Sequence, residues 1–123
     1  MPLNYYQLKQ RLMVEYNGTF IFSDSTRISN VAEQVRRFYD ADVVIGPHGA
    51  NLANVMWMRH GTHVIEIMSY TYGNMCYYNT ASVVNVTHHA IFHKRGKDDP
   101  YTLLYDDLQR HVDYAVNALR IAF

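Results

Sequence analysis

Apolar residues are concentrated in short runs along the chain, and these runs predict strands. They cover residues 19–22, 43–45, 63–67 and 86–92. Runs of this length are typical of strands buried on both faces of a parallel sheet, because a helix with the same burial needs more residues. The pattern therefore predicts a short parallel sheet of about four strands.

Between these runs, apolar residues recur at spacings of three and four, which predicts helices. The predicted helices are an N-terminal stripe through Tyr5, Leu8 and Leu12, a stripe of Ile28, Val31, Val35 and Phe38 behind the polar capping residues 23–26, residues 50–58, residues 75–83, and a terminal helix that begins at Pro100. Helices that alternate with parallel strands imply right-handed crossovers. We therefore expect one α/β domain over residues 1–123, Rossmann-like and built in three layers.

The most informative segment is residues 41–52, ADVVIGPHGANL, where a predicted strand meets a helix at a glycine corner. Gly46 and Gly49 permit a sharp turn there and let a ligand approach the backbone. The helix that follows would point unpaired N–H groups and the positive end of its dipole at the same space, which favours a phosphate group. The segment thus predicts a nucleotide site at the carboxyl ends of the strands.

Composition excludes several classes of protein. Of the 123 residues, 49% are hydrophobic and 18% charged, which is typical of a globular domain and not of a disordered one. Eleven basic and eleven acidic side chains cancel, so no bulk charge favours nucleic acid. No apolar run reaches the roughly 18 residues that indicate a membrane-spanning helix. With Cys76 as the single cysteine, an internal disulfide and a cysteine-based metal site are excluded.

The motif ADVVIGPHGANLANVMWM, followed by GTHVIEI, resembles the carboxyl-terminal half of glycosyltransferase family 61. The resemblance rests on an HGAGL-type corner, a helix with asparagine and a strand that ends in glutamate. The matching residues are His48, Gly49, Ala50, Leu52, Asn54 and Glu66, with Gln34 in an upstream Glu-Gln pair. The resemblance spans residues 19–93, and Asn51 departs from it because the family usually has glycine there. It implies one lobe of the two-lobed GT-B arrangement, the lobe that usually holds the donor.

This resemblance implies a glycosyltransferase, or the donor-binding lobe of one, that moves a sugar from a UDP-sugar to a hydroxyl of a glycan or glycoprotein with inversion. It further implies that donor binding needs no cofactor and no metal ion, and that a full-length member works in the lumen of the Golgi or the endoplasmic reticulum. The expected partners are the nucleotide sugar, the acceptor, and either an amino-terminal lobe or a second copy of the chain. The alternative is a non-catalytic nucleotide-sugar-binding or assembly module that needs a second lobe for activity.

The candidate residues divide into donor-binding and catalytic ones. We expect the donor phosphates to contact Gly46, His48, Gly49, Ala50, Asn51 and Asn54, with Gln34 as a secondary candidate. His48 and Glu66 are the local candidates for catalysis, because a base must take the proton of the acceptor hydroxyl. The structural alternatives are that His48 only stabilises the corner, and that Glu66 pairs with Arg59 or caps a helix.

Three histidines in and after the last predicted strand, His88, His89 and His93, raise the question of a metal site. Neighbouring residues of a strand point to opposite faces, so His88 and His89 are expected to separate. No cysteine or carboxylate completes a convincing ligand set with His89 and His93. We therefore expect no metal ion at these histidines.

Overall fold

Three strands and five helices make up the described part of the chain, which a computed structural model gives as residues 3–17, 30–69, 74–93 and 105–122. The strands are β1 (Val43–Pro47), β2 (His63–Ser69) and β3 (Thr87–His93). The α-helices are α1 (Tyr5–Glu15), α2 (Val31–Asp40), α3 (Cys76–Val83) and α4 (Tyr105–Ala122), and a 3-10 helix (Ala50–Trp57) connects β1 to β2. Three of the four predicted strands are thereby confirmed. The strand predicted at residues 19–22 lies outside the described residues.

The strands run parallel in the order β1-β2-β3, with β2 in the centre. Their register places Gly46 of β1, Glu66 of β2 and Ala90 of β3 in one row across the sheet. Parallel strands end at a common edge, and the chain leaves β1 for the glycine corner at that edge. The α/β class and the parallel sheet predicted from the sequence are therefore confirmed.

Helices pack on both faces of the sheet. On one face, α1 and α4 bury Leu8, Leu12, Tyr16, Ile65, Ile67, Ile91, Tyr105, Leu108, Val112 and Val116. On the other face, α2, the 3-10 helix and α3 bury Phe38, Leu52, Val55, Met58, Val64, Ala81 and Val86. Val64 of β2 belongs to the second cluster and Ile65 and Ile67 to the first, because successive side chains along a strand point to opposite sides.

Asn30 fixes where α2 begins. Its side chain accepts a hydrogen bond from the backbone N–H of Glu33, and its own backbone is extended, so the helix starts at Val31. The predicted start behind residues 23–26 is therefore wrong. Val31 is exposed and does not belong to the buried stripe, whereas Phe38 is buried as predicted.

The helix predicted at residues 50–58 is a 3-10 helix, Ala50–Trp57, with hydrogen bonds between residues three apart. The side-chain amide of Asn54 donates to the carbonyl oxygen of Asn51, 3.0 Å away. In an α-helix that carbonyl would accept the N–H of Val55 instead. Asparagine competes with the backbone for such bonds, and this competition favours the tighter helix.

In the terminal helix, α4, a stripe of Leu104, Leu108, Val112, Ala115 and Leu119 is predicted from the sequence to be buried. Leu108, Val112 and Ala115 are buried and Leu119 is half-buried, while Leu104 lies outside the described residues. The predicted start at Pro100 lies in a part of the chain that the structure does not describe. No helix among the described residues is long and apolar enough to cross a membrane.

Candidate active site

A fully buried carboxylate, Glu66 in the central strand, is the centre of the candidate site. Its Oε2 atom lies 2.5 Å from Nδ1 of His48, and its Oε1 atom lies 2.7 Å from Nε2 of His88. The Glu66 side chain has no solvent exposure. A buried carboxylate is stable only when hydrogen-bonded, and here each oxygen has a partner. We call His48, Glu66 and His88 the carboxylate group.

The register of the sheet explains why these three side chains meet. The residues beside Glu66 in its row, Gly46 and Ala90, are the two smallest amino acids, so neither occupies the space next to the carboxylate. His88 precedes Ala90 by two residues and therefore points to the same face of the sheet. His48 follows Gly46 by two residues, and its N–H donates to the carbonyl of Ile67 at 2.9 Å. Both imidazoles thus reach Glu66 from neighbouring strands.

Glu66 determines which ring nitrogens carry protons. An ionised carboxylate only accepts hydrogen bonds, so Nδ1 of His48 and Nε2 of His88 must both donate. In a neutral His48 the remaining nitrogen, Nε2, is then the atom that can accept a proton. His48 is the more accessible imidazole, because its side chain is 15% exposed while that of His88 is 3% exposed.

Two consecutive tyrosines at the start of α3 pack against the two imidazoles. The ring centroid of Tyr77 lies 5.2 Å from that of His48. The ring of Tyr78 meets His88 edge-on, with centroids 5.7 Å apart. Aromatic contacts of this kind restrict ring orientation. The first turn of α3 therefore helps to hold both histidines in place.

The corner after β1 offers two backbone donors to a ligand. Neither the N–H of Gly49 nor that of Ala50 donates to an acceptor within the described residues, and Ala50 is exposed. The N–H of His48, by contrast, is bound to Ile67. Gly49 and Ala50 are thus the two predicted phosphate contacts whose amides are available at the start of the 3-10 helix.

The two glycines of the corner lie in different parts of the backbone, Gly46 within β1 and Gly49 after it. Gly49 has φ and ψ both at 170°, an extended conformation that any residue adopts. Gly46 lies within β1, where a Cβ atom would sit 3.4 Å from Cδ2 of Leu52. A Cβ at this distance would make ordinary van der Waals contact with Leu52, so the packing of the 3-10 helix does not require a glycine at this position. The chain bends at His48 and Gly49, so Gly49 lies at the expected turn, whereas Gly46 lies in the strand before it.

Three predicted site residues form a polar cluster between α2 and the 3-10 helix. The amide of Asn54 lies 3.3 Å from Oε1 of Gln34, and it also donates to the carbonyl of Asn51. The first contact ties the 3-10 helix to α2. The structure therefore brings Gln34, Asn51 and Asn54 together through contacts within the 3-10 helix and between this helix and α2.

Arg59 does not pair with Glu66, so that structural alternative is wrong. Its guanidinium lies 2.5 Å from Oδ1 of Asp42, and its Nε donates to the carbonyl of Tyr39 at 2.8 Å. Its remaining bonds reach the carbonyls of Asp40 and Ala41. Arg59 therefore closes the carboxyl end of α2, where a cation is favourable.

A second group of histidines lies on the opposite face of the sheet, under α4. His89 lies 3.0 Å from His63 and 3.1 Å from His111, measured between ring nitrogens. We call these three the histidine row. The predicted separation of His88 and His89 to opposite faces is confirmed, while the side chain of His93 lies outside what the structure describes. Among the described residues, no group of three or more potential ligands could hold a metal ion.

Burial lowers the pKa of every histidine in the row. For His89, burial is the largest cause, repulsion from His63, His111 and His88 adds to it, and together they lower the pKa to about 4. Desolvation alone lowers the pKa of His63, and it is the largest cause for His111. These imidazoles are therefore neutral near pH 7.

His88 was not predicted as a partner of Glu66. The available signal was a histidine two residues before a small residue, Ala90, in the strand next to the glutamate. That signal has meaning only once the register between β2 and β3 is known, and no local pattern sets this register.

Comparison with known proteins gives one match. The family model described as Glycosyltransferase 61 matches residues 2–65, just over half of the chain, and ends one residue before Glu66. No curated protein and no solved structure matches the chain. The matched segment includes the glycine corner with His48 and thereby confirms the resemblance found in the sequence. The chain belongs to glycosyltransferase family 61.

Proposed function

We propose that this chain is the donor-binding lobe of a GT-B glycosyltransferase that transfers a sugar from a UDP-sugar to a hydroxyl of a glycan or protein. Family membership supports sugar transfer in general. The observation that carries the finer assignment is the position of His48, held by buried Glu66 beside the N–H groups of Gly49 and Ala50. A proton acceptor and anion-binding donors thus lie at one edge of the sheet.

In this proposal the corner stabilises the leaving diphosphate. Negative charge accumulates on the diphosphate as the glycosidic bond breaks, so donors fixed in advance lower the barrier. The N–H groups of Gly49 and Ala50 are such donors, and the dipole of the 3-10 helix adds positive potential at the same place. Because these groups meet the phosphate charge, donor binding is proposed to need no metal ion.

His48 acts as the general base in the proposed reaction. Nε2 takes the proton of the acceptor hydroxyl while the hydroxyl oxygen attacks the anomeric carbon. The bond from that carbon to the diphosphate breaks, and its electron pair leaves with the diphosphate. Because the hydroxyl attacks from the face opposite the diphosphate, the configuration at the anomeric carbon is inverted. Glu66 does not touch the substrate, because it is fully buried and both of its oxygens are bonded. Its role is to hold His48 and to stabilise the imidazolium that forms.

The proposal extends to the setting of the reaction. A UDP-sugar and a glycoprotein acceptor are both present in the lumen of the Golgi or endoplasmic reticulum, and we assign the protein to that compartment on family membership. A second lobe, or a second copy of the chain, would complete the acceptor side. A module that binds the nucleotide sugar without transfer is the competing assignment.

Calorimetric titration with UDP and UDP-sugars, followed by a UDP-release assay with simple acceptors, tests the proposal. His48→Ala is expected to lower the transfer rate by about 10² or more, as loss of a general base does, with a smaller effect on UDP affinity. The matched control is His60→Ala, because His60 is exposed and precedes β2 at the opposite edge of the sheet.

Absence of UDP binding would refute the donor-site assignment. Binding by the wild-type chain without UDP release would favour the non-catalytic module. Full transfer activity in His48→Ala would remove His48 as the base while leaving the donor site in place.

A further inference from the structure

We propose that His88 is a positioning residue for the reaction assigned above: it holds the Glu66 carboxylate so that this carboxylate keeps His48 in the form protonated at Nδ1. The consequence for catalysis rests on the proposed function, whereas the geometry does not. His88 belongs to β3, and its Nε2 atom lies 2.7 Å from Oε1 of Glu66.

The three members of the carboxylate group are held in different ways. Glu66 and His88 lie within paired strands, and the rings of Tyr78 and His88 meet edge-on. His48 follows the last residue of β1, where its N–H donates to Ile67 and its ring packs on Tyr77. Among the described residues, His48 and His88 are the two groups that bind the Glu66 carboxylate. The bond from His88 therefore restricts rotation of the carboxylate whose other oxygen faces His48.

A residue that only filled space next to Glu66 would not need a nitrogen at hydrogen-bonding distance. Without the bond from His88, one carboxylate oxygen would be buried without a donor, and the carboxylate would rotate or recruit another proton. Either change alters the acceptor that faces Nδ1 of His48, and the ring would then also populate the form protonated at Nε2. Such a ring cannot take a proton at the nitrogen assigned to the acceptor hydroxyl.

Two variants separate hydrogen bonding from packing. His88→Leu removes the donor, and His88→Gln keeps an amide N–H close to the place of Nε2. We expect His88→Leu to lower kcat for transfer about tenfold with KM within twofold, and His88→Gln to restore most of kcat. The matched control is His111→Leu, a histidine of the row on the opposite face, which should leave kcat unchanged.

Nuclear magnetic resonance of the imidazole nitrogens in the unliganded protein gives the second measurement. In the wild type we expect the proton of His48 on Nδ1 and that of His88 on Nε2. In His88→Leu we expect a mixture of both His48 forms, and in His88→Gln the wild-type form. This measurement needs no activity, so it tests the positioning role even if the wild type fails to bind UDP and the proposed function is lost.

A wild-type His88 with its proton on Nδ1 would overturn the proposal directly, even if His88→Leu does not fold. It would equally be overturned if folded His88→Leu kept the wild-type state of His48 and full kcat. If His88→Gln lost as much activity as His88→Leu, shape and not the hydrogen bond would be what matters, and the positioning role would be rejected.

Discussion

The two faces of one sheet carry histidines in two different electrostatic settings. The carboxylate group is centred on the buried side chain of Glu66, which His48 and His88 bind. The histidine row is centred on His89, whose ring nitrogens lie at hydrogen-bonding distance from His63 and His111 and whose ring also contacts Tyr114. His88 and His89 are consecutive residues, so the strand itself divides them between the two settings. The hydrogen-bond partner of a buried histidine, and not burial alone, therefore determines which ring nitrogen carries the proton.

Neutral imidazoles satisfy the histidine row without a charge. Each neutral ring has one donor and one acceptor, so His63, His89 and His111 can be hydrogen-bonded in either direction along the row. The carboxylate group has no such freedom, because the carboxylate accepts from both sides. The face with the carboxylate group thus has a single arrangement of imidazole protons, which a catalytic site needs. The face with the histidine row permits two such arrangements.

Replacing the anion by an amide is expected to have the largest effect. In Glu66→Gln the side chain keeps its shape but offers one donor and one acceptor, so the Nδ1 proton of His48 is no longer required. We expect transfer to fall by about 10²–10⁴, as when a carboxylate that orients a catalytic histidine becomes an amide. Transfer kinetics measure the loss, and the far-ultraviolet circular dichroism spectrum verifies folding. Unchanged transfer would reduce Glu66 to a structural residue.

Acid should act next most strongly, through the histidine row. The pKa of His89 is about 4 in the folded protein and ordinarily 6.5, so between these values the unfolded chain binds more protons than the folded one. The contribution of His89 to stability is therefore complete above pH 6.5 and is lost as the pH falls towards 4, by at most about 3 kcal/mol.

Urea unfolding of the wild type and of His89→Phe, followed between pH 7.5 and 4, measures this contribution. The phenylalanine ring does not titrate, so the variant should lose less free energy of unfolding over that interval than the wild type loses. If the two lost the same amount, other groups would account for the acid sensitivity, and the contrast between the two faces would be weaker than the structure indicates.

The strands were predictable because their signal is local. Three short apolar-rich runs became β1, β2 and β3, and the period of two along β3 placed His88 and His89 on opposite faces. The start of α2 was missed although its capping residue, Asn30, is present in the sequence, because residues 23–26 offered equally suitable side chains. The 3-10 helix was missed because apolar spacing does not report how Asn54 bonds to Asn51.

Two of the three residues of the carboxylate group were predictable and the third was not, and the histidine row was not predicted. His48 and Glu66 were recognised because each ends a predicted strand within the family motif. His88 and His111 were not recognised as partners, because each bonds to a residue 22 positions away. Such contacts depend on strand register and on how α4 docks, and these are set by the packing of the whole domain.

Two tyrosines near the α1–α4 contact allow a smaller test of the rule that a partner, and not burial, decides what a polar group contributes. The hydroxyl of Tyr16 donates to Asp113. Burial is the largest cause that raises the pKa of Tyr16, and this hydrogen bond is the next largest. The hydroxyl of Tyr105 is buried without a partner among the described residues, while Arg11 packs over its ring at 4.3 Å. Loss of the first hydroxyl removes a bond, whereas loss of the second removes only an unsatisfied group.

Tyr16→Phe is therefore expected to lower the free energy of unfolding by about 1–2 kcal/mol, and Tyr105→Phe to leave it unchanged or raise it by up to about 1 kcal/mol. In Tyr105→Phe the ring stays under Arg11, so the variant loses only the buried hydroxyl that has no partner among the described residues. Urea unfolding at pH 7 measures both. If both variants lost the same free energy of unfolding, the Tyr105 hydroxyl would have a hydrogen-bond partner in solution. The two tyrosines would then no longer show a difference between a buried hydroxyl with a partner and one without.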